Sequence, residues 1–220
     1  ARHGADVALT YRRHGEMAEE VAAQIEALGR RARALELDVL DEEGTIAALR
    51  ALEAEWGPLD ILVNNAGITQ NLPLPLLEAD DFSHVMDVNV KGSYLTARAA
   101  LRSMIRRKAG VILNLGSLAG ERMLEAPIHY CASKAAIAGM TRAMAKEVAR
   151  HRIRVLCLAP GLLEEGVGRN IPESRREDYL RHCALGRLGT LEEVAETAAF
   201  LVSDQNSFMS GEVLVMDGGV

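Results

Sequence analysis

The sequence predicts an α/β protein built on a doubly wound parallel sheet, and three observations carry that prediction. Short apolar runs alternate with segments whose apolar residues recur at three- and four-residue spacing, the pattern of strands alternating with helices. One run, residues 59–64 (LDILVN), is apolar almost without a break, as a strand covered on both faces should be. Aromatic residues make up only 4% while Ala, Leu, Val and Gly dominate, a mix that suits helices packed on a parallel sheet.

Taken in order, Ala1-Arg2-His3 before Gly4 reads as the last turn of a helix with its C′ glycine. Residues 6–11 are a short buried strand. Residues 16–28 are helical through Val21, Ile25 and Leu28, and Gly29 stops them. Residues 32–39 form a second strand. Asp41 opens a helix through Ile46, Leu49, Leu52 and Trp56 that ends at Gly57-Pro58, and 59–64 is the third strand. A long helix covers 81–108, with a polar interruption at 89–92. The strand 110–117, a helix from Pro127 to His151 and the strand 153–161 follow. Residues 162–185 are a polar loop with short helices, 191–202 a helix, and 212–216 a last strand before Asp217-Gly218-Gly219.

A chain of 220 residues suffices for one domain with a sizeable core. The net charge of -6 argues against nonspecific binding to nucleic acid or an anionic membrane. Cys131, Cys157 and Cys183 show no CxxC or metal-like spacing and read as small buried residues of a reducing compartment; no metal is expected. No signal peptide, long apolar run, low-complexity tract or repeat is visible.

In doubly wound sheets ligands bind outside the carboxyl ends of the strands. Tyr11, Asp38, Asn64, Ser117 and Pro160 all fall at such ends. Tyr130 and Lys134 lie one turn apart on one helix face. A phenol titrates near ~10, and a nearby positive charge favours its ionised form, so it can exchange a proton near neutral pH. Ser117 alongside would hold a carbonyl oxygen between the two hydroxyls. By itself the Tyr/Lys spacing is equally that of a common surface pair.

The ordered set Asn64-Asn65-Ala66-Gly67, Asn89, Ser117, Tyr130-x-x-x-Lys134 and Pro160-Gly161 resembles the short-chain dehydrogenase/reductase family over essentially the whole chain. The resemblance implies a single Rossmann-type domain over 1–220. The family's first strand, its TGxxxGxG turn and most of its first helix have no counterpart in these residues, so the sequence reads as an N-terminally incomplete record. It further implies hydride transfer from a nicotinamide to a ketone. Tyr130 would protonate the new alkoxide and Ser117 orient the carbonyl. Lys134 would lower the phenol pKa and bind the nicotinamide ribose. Asn89 would hold a relay water; its other reading is an incidental polar residue at a kink.

NADP(H) is the expected cofactor. The segment Thr10-Tyr11-Arg12-Arg13 offers no carboxylate to ribose hydroxyls, and Arg12, with Arg13, suits a 2′-phosphate. The other reading is a solvated Arg pair at a helix start. Asp38, with the Val39 backbone, matches the adenine-contacting position or is a helix N-cap. Asn64 and Asn65 match residues that tie the sheet and approach the ribose, and Gly67 allows close approach. Pro160, Gly161 and the Leu163 backbone match the nicotinamide end. Glu165 stands where the family often has Thr, and Leu156 where it usually has Asn.

Within the family the resemblance runs to bacterial 3-oxoacyl-(acyl-carrier-protein) reductases, through the Gly186-Arg187-Leu188-Gly189 turn and the ending Ser210-Gly211-Glu212…Asp217-Gly218-Gly219. It implies a cytoplasmic homodimer or homotetramer of fatty-acid or polyketide synthesis. An acidic carrier would dock on basic residues beside the active-site entrance, here Arg107, Lys108, His151 and Arg152. The same cations are also what the macrodipole favours at helix C-termini. Leu162, Leu163, Met123 and Leu124 would line an acyl channel. Two other readings stand: a family oxidoreductase acting on a small alcohol, sugar or steroid, and a catalytically degenerate member serving as an interaction partner.

Overall fold

The described residues (1–166 and 171–220) of this computed structural model form the expected α/β fold, with every strand pairing parallel and the strands sorted into two sheets. Strand β1 (Val7–Tyr11) pairs with β2 (Ala32–Glu36). The second sheet runs β3 (Ile61–Asn64), β4 (Gly110–Leu115), β5 (Ile153–Pro160), β6 (Val213–Met216) in spatial order. Among the described residues β1 pairs with β2 alone and β3 with β4 alone. The sheets belong to two compact units, Ala1–Gly57 and Pro58–Val220. The part of the expected 162–185 loop at 167–170 lies outside the described residues.

In the first unit, helix α1 (Gly15–Ala27) joins the two strands and buries Ala18, Ala22 and Ile25. Residues 1–4 form a single turn, closed by the Gly4 N–H donating to the Ala1 carbonyl at 2.8 Å. Strand β2 stops at Glu36, short of Val39. The reason is Asp38: its side chain accepts from the Leu40 N–H at 2.9 Å and its carbonyl from the Asp41 N–H at 2.9 Å, which turns the chain. Asp41 then caps α2 (Glu42–Trp56), accepting from the Gly44 N–H.

In the second unit, β5 shows why the sheet is covered on both faces. Its alternate residues Cys157 and Ala159 meet Ile137 and Ala138 of α5 (Ile128–Val148), while Leu156 and Leu158 meet Leu201 of α7 (Leu191–Val202). Leu113, Leu156, Leu158 and Leu201 are each at most 1% exposed, worth roughly 1.5–3 kcal/mol apiece. Leu156, at the position where the family usually has Asn, is thus part of the apolar core.

The expected helix 81–108 resolves into α3 (Ala79–Met86), a π-helical turn (Asp87–Lys91) and α4 (Gly92–Arg107). Helix α3 starts early because Glu78 and Asp81 form a capping box. The widened π turn faces both Val88 and Asn89 inward. Within the polar segment after β5, α6 (Glu173–His182) buries none of its residues and is tied by the Tyr179 hydroxyl, which donates to the Asp217 carbonyl at 2.7 Å. No described helix is long and apolar enough to cross a membrane.

Candidate active site

Tyr130 and Lys134 occupy the first two turns of α5, which follows β4. Ser117 lies two residues past β4 and caps a 3-10 turn, Leu118–Gly120. That turn closes tightly on α5: a Cβ on Gly120 would fall 2.6 Å from the Ala135 nitrogen, so glycine is required for the approach. The closure brings the Ser117 and Tyr130 side chains close to one another.

The expected lowering of the Tyr130 phenol by Lys134 is not what the structure shows. Burial raises the phenol above its ordinary value, and the nearby Ser117 hydroxyl pulls back against it. The Lys134 ammonium is 5.7 Å from the Tyr130 ring centroid and donates to the Leu115 carbonyl at 2.7 Å. It is itself 7% exposed, and burial pulls it down to about 8. Desolvation therefore governs both groups.

Asn89 is a fastener. The Ile68 N–H donates to its Oδ1 at 2.8 Å, and its Nδ2 donates to the Ile68 carbonyl at 3.0 Å and to Ser133 Oγ at 2.9 Å. Ser133 Oγ donates in turn to the Tyr130 carbonyl at 2.8 Å. The loop after β3 is thereby bound to the helical turn that carries the phenol. A Cβ on Gly67, in that loop, would lie 3.3 Å from Asn89 Oδ1 and 3.7 Å from Lys134 Nζ.

A second buried network lies below. Asn64 Nδ2 donates to Asn114 Oδ1 at 2.9 Å and to the Ser93 carbonyl at 3.2 Å, while Thr96 Oγ1 donates to Asn64 Oδ1 at 2.6 Å. Asn114 Nδ2 donates to Thr141 Oγ1 at 2.8 Å. The Asn64 side chain thus points inward as a tie of the sheet, and Asn65, Ala66 and Gly67 are the exposed members of the motif. Sequence reasoning did not single out Asn114, Ser133 or Thr141; the available signal was one Asn inside the apolar run 110–115.

At the end of β5, the Gly161 N–H donates to the Met216 carbonyl at 2.8 Å. Leu163 forms an isolated bridge with Gly189 that uses the Leu162 carbonyl and the Glu164 N–H, leaving the Leu163 main chain outside the bridge bonds. Glu165 is exposed. In the first unit, Arg12 Nε pairs with Asp38 Oδ2 at 2.9 Å, with half-buried Val39 next in the chain. The helix N-cap is Asp41, not Asp38.

The basic residues expected beside the entrance lie elsewhere. Arg107 and Lys108 end α4 just before β4, and His151 and Arg152 precede β5, so both groups sit at the amino ends of the strands. Tyr130 sits at the carboxyl-end rim, and the 21 residues of α5 span about 30 Å between the two. Arg107 is also engaged, donating to Asp60 Oδ1 at 2.8 Å and to the Leu59 carbonyl. A helix leading into a parallel strand must end at that opposite rim.

The groups around Lys134 suit a ribose. Lys134 uses one N–H on Leu115, no carboxylate among the described residues offsets its burial, and the neighbouring Gly67 has no side chain to block approach. Among the described residues no group of three or more His, Cys, Asp or Glu is placed to hold a metal ion.

Comparison with known proteins places the chain in a family. All of residues 1–220 match the family model described as enoyl-(acyl carrier protein) reductase. The 3-oxoacyl-(acyl-carrier-protein) reductase of Chlamydia trachomatis is 34% identical over 100% of this chain and 89% of its own length. That of Thermotoga maritima is 38% identical over 84% of this chain and 75% of its own. Among solved structures, gluconate 5-dehydrogenase from Burkholderia cenocepacia J2315, in complex with NADP and tartrate, superposes with a TM-score of 0.91. It is 33% identical and covers 98% of this chain and 85% of that one. A mutant short-chain dehydrogenase/reductase from Serratia marcescens gives a TM-score of 0.91 at 32% identity, over 99% and 88% of the two chains. The chain belongs to the short-chain dehydrogenase/reductase family.

Proposed function

We propose that the protein reduces a 3-oxoacyl thioester, borne on an acyl carrier protein, to the 3-hydroxyacyl thioester with NADPH, residues 1–220 working as one nucleotide-binding domain. The observation that carries the chemistry is the Tyr130 phenol, buried beside Ser117 and one helical turn from the buried Lys134. The substrate class rests on relatives named as 3-oxoacyl-(acyl-carrier-protein) reductases.

When bound, the nicotinamide supplies the hydride that reduces the carbonyl carbon. Ser117 donates a hydrogen bond to the carbonyl oxygen, fixing it beside the phenol. Tyr130 gives its proton to that oxygen as negative charge develops, and its raised basicity keeps the proton in place until then. The Lys134 ammonium faces the phenolate that remains and stands in line to return a proton drawn from solvent. Asn89 holds the turn in register through Ser133. Lys134, Asn65, Gly67, Pro160, Gly161 and the Leu163 backbone would hold the nicotinamide riboside. Arg12 would meet the 2′-phosphate, and Asp38 with Val39 the adenine. A carrier seated on Lys108, His151 and Arg152 sits at the rim away from Tyr130, so it would serve the site of a second copy.

The test is NADPH oxidation by the intact protein with an acetoacetyl carrier thioester. Tyr130→Phe is expected to lower kcat about 10²–10⁴-fold at an unchanged melting temperature; an undiminished rate would sink the mechanism. Lys108→Glu is expected to raise KM for the carrier-bound substrate and not for a short free thioester. The similarity to gluconate 5-dehydrogenase favours a second reading, a small-alcohol or sugar oxidoreductase. Turnover of free hydroxy compounds with no preference for the carrier thioester selects it.

A further inference from the structure

Helix α6 has no buried residue, so polar contacts rather than apolar packing set its place on the molecule. Arg175 and Tyr179 stand four residues apart and share one face of it. The Tyr179 hydroxyl is fixed at the ends of β5 and β6. It donates to the Asp217 carbonyl at 2.7 Å and lies against Gly161, where a Cβ would collide with it. Just past the helix the chain is pinned again, the Leu185 N–H donating to the Gly218 carbonyl at 3.0 Å. One turn before Tyr179, Arg175 reaches the other way. Its Nη2 pairs with Glu125 Oε1 at 2.7 Å, and its Nη1 donates to Asn71 Oδ1 at 3.5 Å.

Glu125 belongs to the segment between Ser117 and Tyr130, and Asn71 to the loop after β3 that Asn89 fastens to α5 through Ser133. The sheet order β3, β4, β5, β6 puts the partners of α6 on successive strand ends. Helix α6 therefore crosses the carboxyl-end rim from β5 and β6 back to β4 and β3, along the stretch that carries Ser117 and Tyr130. A guanidinium is a rigid planar fork, so its two arms fix how far apart the Asn71 and Glu125 loops stand. The same segments expose large apolar side chains: Leu74 and Leu76 beyond Asn71, Met123 and Ile128 on either side of Glu125. Apolar walls beside the candidate centre suit an acyl chain.

We propose that Arg175 is a specificity-determining residue: its guanidinium clasps the two loops that flank Ser117 and Tyr130 and so limits the bulk of the acyl group that reaches them. The idea rests on the 3-oxoacyl thioester reading of the site. The Arg175 and Glu125 side chains are 32% and 78% exposed, and an ion pair so open to solvent adds little to stability. Its loss should therefore change the opening and not the fold.

The experiment measures kcat/KM of the intact protein with two carrier thioesters, acetoacetyl and the branched 4-methyl-3-oxopentanoyl, and follows melting in parallel. Arg175→Ala is expected to raise the branched-to-straight ratio about tenfold, and Glu125→Gln to move it the same way by less, both at an unchanged melting temperature. Arg175→Lys, which lacks the fork, should fall between wild type and Arg175→Ala. The double variant Arg175→Glu with Glu125→Arg should return the ratio toward wild type. A ratio that shifts by less than about twofold in Arg175→Ala, or an equal fall with both thioesters, overturns the proposal. Wild type inactive on both thioesters defeats the reading on which it rests, and the proposal with it. Wild-type turnover with an unmoved ratio defeats the proposal alone.

Discussion

Two regions that carry candidate site residues are built on different physics. Around Tyr130 the fixing groups are neutral and buried: Asn89, Asn114, Ser133 and Thr141 are each at most 1% exposed and hydrogen-bonded to each other or to main chain. In the first unit, Arg12 and Asp38 are joined by one ion pair, with side chains 54% and 34% exposed. A buried network fails badly when one member is lost, whereas an exposed pair is screened by salt and exchanges partners at little cost. The groups assigned to proton transfer are locked in position, and those assigned to the far end of the cofactor remain adjustable.

The comparison is broken most directly at Asn114. Asn114→Ala leaves Asn64 Nδ2 and Thr141 Oγ1 short of a partner and opens a void, an expected loss of about 2–4 kcal/mol in urea unfolding. A loss below about 1 kcal/mol would mean the network does not lock the site.

Next is Lys134→Met. The folded ammonium lies at about 8 against an ordinary 10.5, so the unfolded state holds the extra proton between those values. The Lys134 contribution to stability therefore rises with pH across that window, and wild type should gain roughly 2–3 kcal/mol on the Met variant from pH 8 to 10.5. Activity should fall over the same range as the ammonium is lost. A stability difference flat with pH would show that Lys134 is not buried as described.

The smallest expected change is at Arg12. Arg12→Gln should alter unfolding by less than about 1 kcal/mol, yet weaken NADPH binding about tenfold with NADH binding unaffected. Added salt should erode the NADPH advantage. Equal loss for both cofactors would sharpen the contrast differently, by removing Arg12 from phosphate recognition.

The element order was legible because apolar periodicity is a local signal, and Asn89 stood out because a polar residue interrupted an apolar helix. Pairings such as Asn64 with Asn114, fifty residues apart, depend on strand register and were not legible. The Tyr130 environment was misjudged because spacing reports that Lys134 is near but not that both groups are desolvated. The place of Lys108 and His151 was available from topology alone, since each precedes a strand, yet the helix-end charges drew attention to sign rather than to rim.

The π turn at Asp87–Lys91 has a consequence for how this chain can vary in length. It amounts to one extra residue wound into a helix, and each residue advances a helix by about 100°. An i→i+5 turn absorbs that residue, so deleting one residue between Asp87 and Lys91 would restore an ordinary helix that keeps Ala97, Ala100 and Met104 facing the core, while undoing the turn that faces both Val88 and Asn89 inward. A single deletion here should therefore spare the packing of α4 and cost the Asn89 contacts to Ile68 and Ser133, which an indel scan would read as lost activity in a protein that still folds.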